Sequence, residues 1–114
     1  MDKRTGTPSG DELLRVLAAL ANPQRLRILA ALSGGRNYVS RLARELGISR
    51  PLLHLHLQRL EAAGLVESTL ELSDEGKAMR SFQVRPFALR LTPEVIAAAA
   101  RTLTDGGTAD EEEG

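Results

Sequence analysis

A mainly α-helical chain carrying one small β-hairpin is predicted by three features of this 114-residue sequence. First, helix-capping residues recur at Ser9, Asn22, Ser49 and Thr92, each just before an apolar stretch with helical spacing. Second, VSRLARELGISRPLLHLHLQRLEAAGLV, from Val39 to Val66, reads as two helices joined by a tight turn. Third, beyond Gly64 the apolar period changes from helical to alternating. The resulting order is ααα-α-ββ-α, a winged helix-turn-helix.

The elements follow in turn. Residues 1–9 read as a disordered arm with Lys3 and Arg4 as its basic residues, and residues 10–104 as a single folded domain. Ser9 and Glu12 form a capping box, so the first helix starts near Gly10. Leu13, Val16, Leu17, Leu20 and Ala21 place one apolar stripe along it. Asn22-Pro23 is an N-cap followed by proline in the first helical position. The second helix, Pro23 to Leu32, is expected to bury Leu26, Leu29 and Ala30, with Ile28 and Leu32 flanking, and Gly34-Gly35 stop it. Asn37-Tyr38-Val39 reads as a short extended segment.

In the helix-turn-helix, Ser40 is the expected cap of the first helix and Gly47 its end, because glycine tolerates a left-handed backbone. Ser49 caps the next helix, with Pro51 in its opening turn. At 100° per residue, Leu53, Leu57 and Leu60 share one face of that helix, with His56 at the edge. The opposite side carries Pro51, Leu55, Gln58 and Arg59, flanked by Arg50, Leu52 and His54. Arginine can donate bidentately to guanine and glutamine to adenine, and leucine can meet a thymine methyl. Helix, glycine turn, helix is also the arrangement that lays a second helix in a DNA major groove.

Val66, Ser68, Leu70 and Leu72 alternate with Glu67, Thr69 and Glu71, as in a half-buried strand. Ser73-Asp74-Glu75-Gly76 makes a turn, and Ala78, Phe82 and Val84 mark the returning strand. This hairpin is the wing. Its tip, Asp74 and Glu75, repels phosphate, which leaves Lys77, Arg80 and Arg85 as the residues able to touch a DNA backbone. Phe87 to Leu91 is expected to be extended, and Thr92-Pro93-Glu94 opens a last helix running to about Thr104. Its VIAAAA segment is apolar all round, and such a helix must be covered on every side. We therefore expect a dimer interface built from Leu13, Val16, Leu17 and Leu20 of the first helix and Val95, Ile96, Ala99 and Leu103 of the last. Residues 105–114 read as a disordered acidic tail.

Composition narrows the chemistry. The 42% apolar content supports a small core, and with only 3% aromatic residues that core is aliphatic. There is no cysteine, which excludes disulfides and thiolate metal sites. No apolar run approaches the length of a membrane span, and MDKRTGTPSG does not read as a signal peptide, so a cytoplasmic location is expected. The formal net charge of zero hides an asymmetry: the last ten residues hold five acids and no base. Between Arg36 and Leu60 the bases Arg36, Arg41, Arg44, Arg50 and Arg59 face Glu45 alone. Positive charge thus collects where phosphate contact requires it, and Arg41, Arg44 and Ser49 join the expected DNA-contacting set. With two histidines, no cysteine and no glycine-rich phosphate loop, the chain is not expected to be an enzyme.

ALANPQRLRILAAL at 19–32, followed by VSRLARELGISRPLLHLHLQRLEAAGLV at 39–66, closely resembles the arsenic-repressor (ArsR/SmtB) family of bacterial winged-helix regulators. The resemblance spans about residues 11 to 104 and implies a homodimer through first and last helices, with the helix from Ser49 in the major groove of double-stranded DNA. Two-fold symmetry would require an inverted-repeat operator. The family commonly has threonine and serine where this chain has Leu52 and His54, and its wing is usually more basic. Many members sense metals, which leaves His54 and His56 as candidate ligands, with nickel or zinc favoured by nitrogen and oxygen donors. These two lie two residues apart and point roughly 200° away from each other, so a site would need further ligands. The alternative reading is a winged-helix module working mainly through a separate protein partner that senses the effector.

Overall fold

A computed structural model of the chain describes residues 8–104. Its elements are α1 (Gly10–Leu20), α2 (Pro23–Leu32), β1 (Asn37–Tyr38), α3 (Val39–Leu46), α4 (Arg50–Ala62), β2 (Val66–Leu72), β3 (Ala78–Val84) and α5 (Pro93–Ala100). This is the predicted winged helix-turn-helix. The expectations of disorder for residues 1–7 and 105–114 lie outside the described residues. The chain groups into two compact units: residues up to Leu17 with those from Phe87 onward, and Ala18–Pro86. No described helix is long and apolar enough to cross a membrane.

Local chemistry sets the helix starts. The Ser9 hydroxyl accepts from the Glu12 amide and the Glu12 carboxylate from the Ser9 amide, both at 3.1 Å. Asn22 Oδ1 accepts from the amides of Gln24 and Arg25, and Thr92 Oγ1 from Val95. At α3 the expectation fails. Its N-cap is Tyr38, with no side-chain cap bond, and Ser40 lies inside the first turn. The cause is β1. Tyr38 pairs with Ser81 and Asn37 with Phe82, which holds the backbone extended until the residue before the helix. The short extended segment thus becomes the third strand of an antiparallel sheet ordered β1-β3-β2.

In the Ala18–Pro86 unit, α4 packs on β2, and α2 and α3 pack on β3. Ile28, Leu32, Leu42, Leu53, Leu57, Leu60, Leu65 and Val66 form its core. The expected inner face of α2 is corrected: Ile28 and Leu32 are buried, whereas Leu26 is 53% exposed and Ala30 is exposed too. Apolar residues occupy more than one side of α2, so spacing alone does not select the buried one. The wing is corrected likewise. Val66 and Phe82 are buried at its base, but Leu70 and Leu72 are 59% and 74% exposed, so alternation marks the strand without marking a covered face. The Ser81 hydroxyl, fully buried at the centre of β3, has no hydrogen-bond partner among the described residues.

The other unit contains α5 and the beginning of α1. α5 stops at Ala100, short of the expected Thr104, as the amides of Arg101, Thr102 and Leu103 turn to carbonyls three residues back. The Gly10 amide donates to Thr102 Oγ1 at 2.6 Å. A Cβ on Gly10 would stand 2.7 Å from Leu103 Cδ2 and press on the Ala99 carbonyl. Glycine is therefore required for close approach, although the sequence marks it only as a helix start. Gly10→Ala is expected to lower stability by about 1–3 kcal/mol, the usual cost of overpacking. Ordinary helix propensity would give the opposite sign. Thermal melting decides between them.

Of the expected dimer-forming residues, Leu13 and Ala99 are buried within the single chain. Val16, Leu17, Leu20 and Val95 are half-buried, and Ile96 and Leu103 are exposed. Leu14, outside the expected set, is 54% exposed.

Candidate nucleic-acid interface

The turn between α3 and α4 is short and fully specified by its residues. Gly47 takes a left-handed conformation (φ 68°, ψ 32°), and the Ile48 amide reaches back to the Ala43 carbonyl at 3.1 Å. Ser49 Oγ then accepts from the Leu52 amide at 3.3 Å and starts α4. The hydroxyl is used as an acceptor, and its proton stays available for donation.

Leu53, His56, Leu57 and Leu60 face the core, which leaves the other side of α4 to solvent. Arg50, Pro51, Leu52, His54, Leu55, Gln58 and Arg59 are all exposed there, with Leu52 at 41% and Leu55 at 49%. Arg41 and Arg44 are exposed on α3. Among the described residues, none of the side chains of Arg41, Arg44, Arg50, Gln58 or Arg59 is held by a hydrogen bond or ion pair. Other arginines are engaged: Arg36 pairs with Glu71 at 3.2 Å, and Arg80 donates to Ser68 Oγ at 3.2 Å. Of the expected wing contacts, then, Lys77 and Arg85 are exposed, and Arg80 is committed in part to its own hairpin.

The wing turn closes through Gly76 to Ser73 and Ser73 to Lys77 backbone bonds. An open groove of about 630 Å³ lies between the start of α4 and the wing. Arg50, His54, Lys77 and Arg80 line it against a single acid, Glu75. Tyr38, Leu70 and Met79 supply its apolar wall.

The expected metal role of His54 and His56 is not shown by this geometry. Among the described residues, no group of three or more His, Cys, Asp or Glu side chains comes together in a way that could hold a metal ion. His54 is exposed and lines the groove. His56 is 8% exposed, and its Nδ1 lies 3.2 Å from the Arg25 guanidinium. Nickel or zinc ligation by this pair is therefore not supported.

Burial, and after it the positive charges of Arg25 and Arg59, hold the His56 imidazole below its ordinary value of 6.5. The ring is neutral, accepts from Arg25 at Nδ1 and carries its proton on Nε2. This has a consequence for stability. The unfolded chain takes up the proton at a higher pH than the folded one, so stability is fully present above about pH 6.5 and is lost as pH falls from there through the lowered folded value. Urea midpoints measured across that window should fall on acidification, and His56→Asn should flatten this part of the slope.

Arg25 was missed as a site residue. It lies three residues before Ile28 and seven before Leu32, on the buried side of α2. An arginine on a buried stripe is a signal in itself, legible once the stripe is assigned to Ile28 and Leu32.

Comparison with known proteins agrees with this architecture. Residues 22–68 match the family described as "Bacterial regulatory protein, arsR family". An uncharacterised HTH-type transcriptional regulator of Methanocaldococcus jannaschii is 36% identical over 85 residues, covering 75% of this chain and 88% of that protein. The HTH-type transcriptional regulator CmtR of Mycobacterium tuberculosis is 46% identical over 59 residues, which covers 52% of this chain and 50% of CmtR. Among solved structures, the homodimeric winged helix-turn-helix DNA-binding domain of a Mycobacterium bovis protein superposes with a TM-score of 0.56 at 27% identity, covering 90% of this chain and 82% of that one. HlyU of Vibrio cholerae gives a TM-score of 0.54 at 25% identity over 89% of this chain and 92% of its own. The chain belongs to the ArsR family of DNA-binding helix-turn-helix transcriptional regulators.

Proposed function

We propose that this protein works in the cytoplasm as a homodimer that binds an inverted-repeat operator, with α4 of each subunit in the major groove. The observation that carries this reading is the division of α4. One side is a fully buried aliphatic stripe, and the other holds Arg50, Gln58 and Arg59 exposed and unengaged among the described residues. A set left unpaired around one helix suits phosphates and base edges. Arg41 and Arg44 on α3 supply backbone contacts, and Leu52, His54 and Leu55 touch bases. Lys77 and Arg80 flank the duplex from the wing. Residues 10–104 serve as one DNA-binding and dimerisation domain, with exposed Ile96 and Leu103 among the residues that a second copy covers. The homodimeric state of the Mycobacterium bovis domain supports that part. The reading assigns no metal, as His54 and His56 gather no further ligands among the described residues.

Fluorescence anisotropy tests it on the duplex upstream of the protein's own gene, with a scrambled duplex as control. Tight binding of two chains per duplex is expected, with affinity falling steeply as salt rises. Equal affinity for both duplexes would overturn sequence-specific regulation. Failure to bind either at low salt would favour the module that acts through a protein partner.

A further inference from the structure

We infer that Arg25 is a positioning residue for DNA reading: its guanidinium ties the recognition helix α4, through His56, to the last turn of α1. The inference rests on the reading of α4 as the DNA-contacting helix. Three bonds carry it. Arg25 Nε donates to the Ala19 carbonyl at 2.7 Å, NH2 to the Ala18 carbonyl at 3.4 Å, and NH1 to His56 Nδ1 at 3.2 Å. The first two partners are among the carbonyls that the end of α1 leaves without intrahelical bonds, where the helix dipole also favours a cation. The third partner sits on the buried stripe of α4, between Leu53 and Leu57.

The geometry is one that only arginine can satisfy. A planar fork with donors in fixed directions spans two carbonyls and an imidazole at once, whereas a lysine ammonium is a single point. The bond to His56 fixes α4 at its middle, one turn after Leu52 and just before Gln58. Base reading depends on how the exposed side of that helix is set in the groove, so the tie acts on affinity without touching DNA.

The groups facing His56 are the Arg25 guanidinium from α2 and Arg59 from its own helix. α1 offers Arg25 only backbone carbonyls. A protonated His56 would have no lone pair for Arg25 and would repel both arginines.

The test uses the full chain and the upstream duplex, at about pH 7.5 and at falling values below the ordinary imidazole one. Arg25→Lys is expected to weaken binding about tenfold, the scale of one lost charged hydrogen bond. The salt slope should stay unchanged, because Arg25 neutralises no phosphate. Arg44→Ala, the phosphate-contact control, removes one contact from each of two subunits and should instead lower that slope by about two. His56→Asn places an amide group where Nδ1 was and should keep wild-type affinity at the higher pH. His56→Leu should not. Acidification far enough below the ordinary imidazole value to protonate the folded His56 should cost the wild type more affinity than His56→Asn. Melting curves establish that each variant is folded, and if Arg25→Lys does not fold, the two His56 variants decide alone. Folded Arg25→Lys and His56→Leu that bind like the wild type would overturn the tie. So would a reduced salt slope in Arg25→Lys, which would make Arg25 a phosphate contact. A wild type that binds no duplex overturns the DNA reading itself, and the inference with it.

Discussion

Replacing Arg50 and Gln58 together by alanine, which removes two contacts from each of two half-sites, is expected to lower specific duplex affinity at least about 10³-fold. Each good bidentate contact to a base edge contributes about 1–3 kcal/mol of discrimination. Both side chains are exposed, and neither is held by the rest of the described protein, so the fold loses nothing that they supply. Melting should therefore stay within about 0.5 kcal/mol of wild type. Affinity for a scrambled duplex should fall much less, because that binding comes mainly from phosphates. The separation of the two readouts is the point of the experiment. Parallel loss on both duplexes would move Arg50 and Gln58 from base edges to the backbone. Unchanged affinity on both would remove the outer side of α4 from the interface.

Leu57→Ala and Leu55→Ala should give opposite phenotypes although they lie on the same helix. Leu57 is fully buried, and its truncation removes transfer free energy and leaves a cavity, about 2–5 kcal/mol together. A domain of this size is stabilised by only about 5–15 kcal/mol, so the variant should show a large drop in urea midpoint. Leu55 is 49% exposed, and its truncation should scarcely change the midpoint. Its effect should appear in DNA affinity on the thymine-containing duplex and vanish where the contacted thymine is replaced by uracil, which lacks the methyl. If Leu55→Ala destabilises as much as Leu57→Ala, the rotation of α4 described here is wrong.

What could be foreseen from the residues follows distance along the chain. Caps are local chemistry, so Ser9 with Glu12, Asn22, Ser49 and Thr92 were legible as letters, and Gly47 as the stop between α3 and α4. The division of α4 was legible as well, because its core stripe is aliphatic and its other side mostly polar. Features that depend on distant segments were not. The cap of α3 moved from Ser40 to Tyr38 because β3, some forty residues later, captures β1. The inner side of α2 was misassigned because its leucines and alanines surround the helix. The exposure of Leu70 and Leu72 was not legible either, because alternation marks a strand and not what covers it. Arg25 was visible only as part of a family pattern, and its partners Ala18, Ala19 and His56 lie on two other helices.

The distal wing also bears on how the protein behaves at high concentration. Among the described residues β2 is an edge strand, and past Tyr38 the far side of β3 has no neighbour either. Leu70 and Leu72 lie on this two-edged ribbon, which makes it a template for ladder formation between molecules. With a sequence pI near 6.7, overall charge gives little protection at neutral pH. Protection falls to residues on the ribbon itself: Glu67 and Glu71 along β2, and Asp74 and Glu75 at the tip. An acidic tip is a poor choice for holding phosphate, but it is a sound choice for keeping one wing off another.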